Sequence, residues 1–286
     1  MTALAPVARP GRLRSFAGEV AKLPAFLRRD FLVAWSYRMS FVSDLVNLAG
    51  QVIVFYFVGR LVDPSLLPTY GGSDVTYLEF AAVGIALGVF IQFGLDRVAA
   101  AMRGEQLMGT LESVLVTPTA PSTVQLGSVI FDLVYVPIRT AVFLGAIMLA
   151  FGLDFAASGI VPALLIVLVF LPFVWGLGVA TAAALLTFRR GGSFVGLGIV
   201  FLGLVSGVYF PLDLLPHWLA EIGSNNPIAL AIEGMRDALL GGATLGELAP
   251  RILALVPMAA ASLTFGFVAF RLALRRERAN GTLGLY

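Results

Sequence analysis

GEQLMGTLESVLVTPTAP, residues 104–121, lies between two long apolar runs and resembles neither. It is polar enough to leave a bilayer and apolar enough to need a surface to rest on. Glu105 near its start suits the positive end of a helix dipole, and Leu107, Met108, Leu111 and Leu115 recur at three- and four-residue spacing as one stripe. Thr117-Pro118 stops the helix, because the proline ring disfavours helical backbone in the residue before it. A helix this short is marginal alone. Two surfaces could hold it: the lipid headgroups or a groove on another protein.

Outward from this stretch the chain becomes apolar. Six runs, residues 41–61, 77–95, 124–151, 160–188, 194–209 and 251–272, each approach the roughly 20 residues that cross a hydrocarbon core of about 30 Å. Hydrophobic residues make up 59% of the 286 and charged residues only 13%, against about a quarter in soluble domains. The expected fold class is an all-α polytopic membrane protein. Its parts are a tail and amphipathic helix over residues 1–40, a six-span domain over 41–272 and a cytoplasmic tail over 273–286.

Composition also removes several chemistries. No cysteine is present, and the single histidine, His217, cannot make a two-histidine metal motif, so no metal site is expected. Lys22 is the sole lysine, and FAGEVAK (residues 16–22) is not a Walker A loop. No catalytic arrangement stands out, and no nucleic-acid partner is indicated. If ATP drives this protein, another chain binds it.

Residues 1–14 carry Arg9, Arg12 and Arg14 without the apolar core of a secretory signal. From residue 15 to 39, Phe16, Val20, Leu23, Phe26, Leu27, Phe31 and Trp35 alternate with Arg28, Arg29, Asp30 and Arg38 at helical spacing. This predicts a surface helix along the inner leaflet, broken near Pro24 and anchored to membrane lipid. Arginine placement sets the orientation. Arg97 and Arg103 follow the second run, Arg189 and Arg190 the fourth, and Arg271, Arg275, Arg276 and Arg278 the sixth, whereas only Arg60, Arg236 and Arg251 fall on the other side. Both termini, and residues 104–121, are expected in the cytoplasm of a multi-pass protein of the cell (inner or plasma) membrane. The carboxylates of the outer side are read as solvated.

Within the runs, Gly196, Gly203 and Gly207 mark the fifth as a helix-packing face, inside one subunit or at a dimer seam. Arg139 in the third run should cost about 2.5–3.5 kcal/mol on insertion scales if unpaired. Asp132, two turns away on the same face, is a partner in reach, as an internal clamp or as part of a pathway. Residues 209–241 are too apolar for a free loop and too interrupted to cross. Pro211 and Pro216 punctuate one short piece, and Asn226-Pro227 starts a second that Gly241-Gly242 ends. These pieces should be re-entrant or interfacial.

Two signatures share one resemblance. GTLESVLVTP, carrying Gly109, Thr110, Leu111, Glu112, Thr117 and Pro118, resembles the coupling segment of type-2 ATP-binding-cassette exporter permeases. Tyr209-Phe210-Pro211, Leu215-Pro216, Asn226-Pro227, Glu233, Arg236 and Leu240-Gly241 resemble that family's pattern before its last span. The resemblance implies a homodimer of six-span chains powered by two separate ATPase subunits, which hold the ATP and magnesium while this chain binds no cofactor. Residues 105–117 would dock on the ATPase, and Tyr209, Phe210, Pro211, Pro216, Asn226, Pro227, Glu233 and Arg236 would form the outer gate. The first span and the fifth-run glycines would face the second copy. The compact size resembles the drug and antibiotic exporters, and Phe, Leu, Val and Gly suit an amphipathic or apolar, lipid-like cargo. A lipid-linked glycan exporter is the alternative. An ion-coupled secondary transporter would show an inverted repeat and a mid-membrane carboxylate, and neither stands out.

Overall fold

The computed structural model describes residues 18–36, 38–107, 121–187 and 192–280. Among them the chain is helical, without strands, apart from an isolated bridge between Tyr70 and Ser73. The helices are α1 (Leu23–Ser36), α2 (Arg38–Gly59), α3 (Tyr77–Leu107), α4 (Pro121–Phe151), α5 (Ile160–Thr187), α6 (Gly192–Leu204), α7 (His217–Ser224), α8 (Pro227–Leu239) and α9 (Leu245–Asn280). Three apolar windows are long enough to cross a bilayer: Val134–Phe151 in α4, Ala157–Thr187 through α5 and Leu245–Arg276 in α9. Shorter apolar stretches occupy Ala49–Gly59 in α2 and Tyr77–Ile91 in α3.

Local chemistry sets the helix ends. Before α3, the Thr76 amide donates to Glu79 Oε2 at 2.7 Å while the Glu79 amide donates to Thr76 Oγ1 at 3.3 Å, a reciprocal capping box. Thr244 donates from its amide and its hydroxyl to Glu247 at the start of α9, at 2.7 and 3.0 Å. Asp63 accepts from the Ser65 amide at 3.0 Å, and this bond holds its carboxyl below the usual range. These carboxylates cap helices while remaining at the solvated surface. α4 stops at Gly152, whose φ of 66° is open to glycine and strained for other residues.

α5 lies at the centre, against α3, α8 and α9. Leu87 of α3, Ile166 and Phe170 of α5, Ile232 of α8 and Leu255 of α9 are almost wholly buried together. The tightest seam is between α5 and α9. A Cβ on Gly176 would come within 2.5 Å of the Leu263 amide nitrogen, and Ser262 donates to the Phe173 carbonyl at 2.8 Å. Small residues let membrane helices approach this closely. A second cluster joins Val52 of α2, Ala81 and Ile85 of α3, and Phe143 and Ile147 of α4.

α1 follows a turn in which Lys22 bonds Glu19 at 2.6 Å, with Pro24 in its first helical turn. Phe26 seats over Gly127 of α4, where a Cβ would lie 2.5 Å from the ring, while Phe31 and Trp35 stack on each other and stay exposed.

The fifth run needs correction. Its helix, α6, ends at Leu204 rather than continuing to Tyr209, and its 13 residues span only about 20 Å. Gly207 is therefore not on a helical packing face. It sits in the following turn with φ 69°. A Cβ on Gly203 would meet nothing within 4 Å, so this glycine packs against no other part of the described chain. Gly196 lies in α6.

Candidate functional site: the outer gate and its arginine

The segment after α6 folds into two short helices, punctuated by prolines. Pro211 precedes a single 3-10 turn over Leu212–Leu214, and Pro216 stands at the N-cap of α7. Asn226 caps α8 by accepting from the Ile228 amide at 3.0 Å, and Pro227 takes the first helical position, where its missing amide hydrogen costs nothing. Asn226 also donates to Ser206 at 3.2 Å, tying the start of α8 to the turn after α6. α8 ends as Gly241 and Gly242 return their amides to Arg236 and Ala238. With 13 residues it reaches about 20 Å, short of a span, and most of its surface is buried in protein.

Arg236 is the centre of this assembly. Its side chain is 0% exposed, with the guanidinium carbon 3.4 Å from the centroid of the Phe80 ring. Nη1 pairs with Glu233 Oε1 at 2.7 Å. Nη2 donates to the Gly207 carbonyl at 2.8 Å, the Phe80 carbonyl at 3.1 Å and the Val208 carbonyl at 3.2 Å, and Nε donates to Phe80 at 3.2 Å. The Gly207 and Val208 carbonyls lie beyond the end of α6, where the helix offers them no amide. A buried guanidinium is tolerated because it is paired and hydrogen-bonded on every side. Tyr70, from the loop before α3, donates to Glu233 Oε2 at 2.8 Å. Burial pushes the Tyr70 phenol well above its ordinary range.

One residue later, Asp237 forms an ion pair with Arg251 of α9. Burial raises the Asp237 carboxyl above its ordinary value, and Arg251 opposes that rise. Arg60 donates to the Tyr56 hydroxyl at 2.7 Å, so Arg60, Arg236 and Arg251 each have a partner. Nearby, Tyr209 stacks on Phe55 of α2 at 5.5 Å and accepts from the Tyr77 hydroxyl at 2.9 Å through its carbonyl. Phe210 is half-buried in the same turn. Trp218 on α7 is 62% exposed.

The structure thus brings Tyr209, Phe210, Pro211, Pro216, Asn226, Pro227, Glu233 and Arg236 to one end of the bundle. The sequence reading did not find Tyr70, Phe80 and Gly84. A Cβ on Gly84 would collide with the Val208 carbonyl and lie 2.7 Å from Arg236 Nη2, and one on Gly88 would lie 3.2 Å from the Val208 side chain. The four-residue interval from Gly84 to Gly88 was the available signal. Arg139 is buried in α4, at 7% exposure. Of the coupling residues, Glu105 and Leu107 fall in the last turns of α3. Met108, Gly109, Thr110, Leu111, Glu112, Leu115, Thr117 and Pro118 lie outside the described residues, as do the side chains of Glu105, Leu107 and Asp132.

Among the described residues the chain is all-helical, and its long apolar helices suit a membrane-embedded protein. Residues 22–240 match the family model described as ABC-2 type transporter, and the chain belongs to that family. Its domain is a permease component rather than a catalytic one. Among curated relatives, the linearmycin resistance permease protein LnrN of Bacillus subtilis (strain 168) is 24% identical over 202 residues, which cover 70% of this chain and 51% of that protein. The chain spans about half the length of the curated relative it matches.

Proposed function

We propose that this chain is the six-span membrane subunit of an exporter that moves an amphipathic or apolar substrate outward, driven by a separate ATPase that docks on residues 105–117. The observation that carries the reading is the family match over residues 22–240, which takes in the coupling stretch and nearly all of the outer gate segment in one alignment. The relative's name, a resistance permease, supports a drug- or antibiotic-like cargo. ATP and magnesium belong to the partner. Two copies of the chain form the pathway, with α2 and the open face around Gly203 at their seam and both termini in the cytoplasm.

Inverted membrane vesicles containing the chain and its ATPase test this. They should accumulate an amphipathic fluorescent dye when ATP is added, and vanadate should stop it. Dye movement that ignores ATP but follows an imposed proton gradient would replace this reading with a secondary transporter.

A further inference from the structure

We propose that Arg236 is a positioning residue that couples the two ends of the permease, by fixing the gate helix α8 to the outer end of the same helix that leads into the ATPase dock. The proposal rests on the exporter reading above. α3 is continuous from Tyr77 to Leu107, 31 residues or about 46 Å. Glu105 and Leu107 lie in its last turns. Phe80, in its first turn, gives both its carbonyl and its ring to Arg236. Any tilt or shift of α3 produced at the dock therefore reaches the guanidinium at the far end.

The guanidinium is suited to pass that motion on. Its planar fork holds three separate pieces of chain: the first turn of α3, the Gly207-Val208 turn beyond α6, and Glu233 on α8. Lysine offers a single point of charge and cannot span those directions at once. The joint is closely fitted, since Gly84 leaves no room for even a methyl group between α3, Arg236 and Val208. Glu233 is held from its other oxygen by Tyr70, which adds the loop before α3 to the same joint. A side chain retained only for stability could bond the nearest carbonyls of one neighbour. This one joins the rod from the dock to both the Gly207-Val208 turn and α8.

The test uses the full permease–ATPase complex in proteoliposomes, with Ser224→Cys as a reporter next to α8, which is convenient because the native chain has no cysteine. Labelling by a membrane-impermeant maleimide is compared without nucleotide and after vanadate trapping. In the parent the labelling rate should change about fivefold or more between the two states, within the usual range of coupling between sites. In Arg236→Lys the two rates should converge, and dye transport should fall about tenfold while ATP hydrolysis by the bound partner persists. Glu233→Gln, which keeps the guanidinium and removes its counter-charge, should give the same pattern in milder form. It carries the test if the lysine variant does not assemble.

Retained nucleotide-dependent labelling and proportionate transport in either assembled variant would overturn the proposal. A loss of hydrolysis and transport in step, with labelling still nucleotide-dependent, would also overturn it, because that is the signature of a merely structural residue. Absence of ATP-dependent transport in the parent would instead strike the exporter reading.

Discussion

Gly84 shows how much a single missing methyl group carries at the residue scale. Its Cα faces a guanidinium and a carbonyl that are already bonded to each other. Gly84→Ala should destabilise the protein by about 1–3 kcal/mol through overpacking, whereas Gly203→Ala, which points into open space, should stay within about 0.5 kcal/mol in the isolated chain. Thermal unfolding in detergent compares the two. Tyr70 gives a pH signature. Its buried phenol keeps its proton in the fold beyond pH 10, while the unfolded chain releases it near its ordinary pKa of 10.0. Above that pH the unfolded state binds fewer protons, so stability should fall as the pH rises. Tyr70→Phe should flatten this alkaline loss, at the cost of about 1.5–3 kcal/mol near neutrality from the bond to the Glu233 carboxylate. Arg139 poses a pairing question. If Asp132 is its partner, Arg139→Leu should lower the unfolding temperature and the added Asp132→Asn should restore it, whereas additive losses would exclude the pair.

At the scale of elements, the strongest sequence signals were punctuation and period. Asn226-Pro227, Pro216 and Gly242 mark helix ends that appear where those residues stand, because capping and φ restriction are local and need no knowledge of the rest of the chain. The end of α6 was not legible in the same way. Gly207 in an apolar run looks like a packing residue, whereas in the fold its carbonyl accepts from Arg236, 29 positions away, a partner that no local pattern reveals. Tyr70 was hidden for the same reason, since its bond to Glu233 crosses 163 positions. The amphipathic stripe of residues 105–117 makes its own prediction. Leu111→Asp and Leu115→Asp should each weaken ATPase binding by at least about 2 kcal/mol, as loss of a buried anchor does, while membrane insertion is unchanged. Co-purification of the ATPase reads the first effect and membrane fractionation the second.

For the whole molecule, the apolar runs, their spacing and the bias of arginines made the membrane class readable without any structure, because transfer of charge into hydrocarbon is costly at every position. Topology remains the larger claim. If α7 and α8 dip into the outer leaflet and return, single cysteines at Ser224 and Gly242 should both react with an impermeant thiol reagent applied from outside. Labelling of Ser224 from the cytoplasm alone would mean that one of these pieces crosses.

The enclosure of α8 also bears on how the protein is made. Its walls come from α3 and α5, which precede it in the chain, and from α9, which follows. While the ribosome is still producing α9, α8 has a slot open on one side, with Asp237 present and Arg251 not yet delivered. At 13 residues it is too short to cross a bilayer by itself. Closure of the slot around α8 is therefore a late event, because α9 supplies a wall that is synthesised after α8 itself.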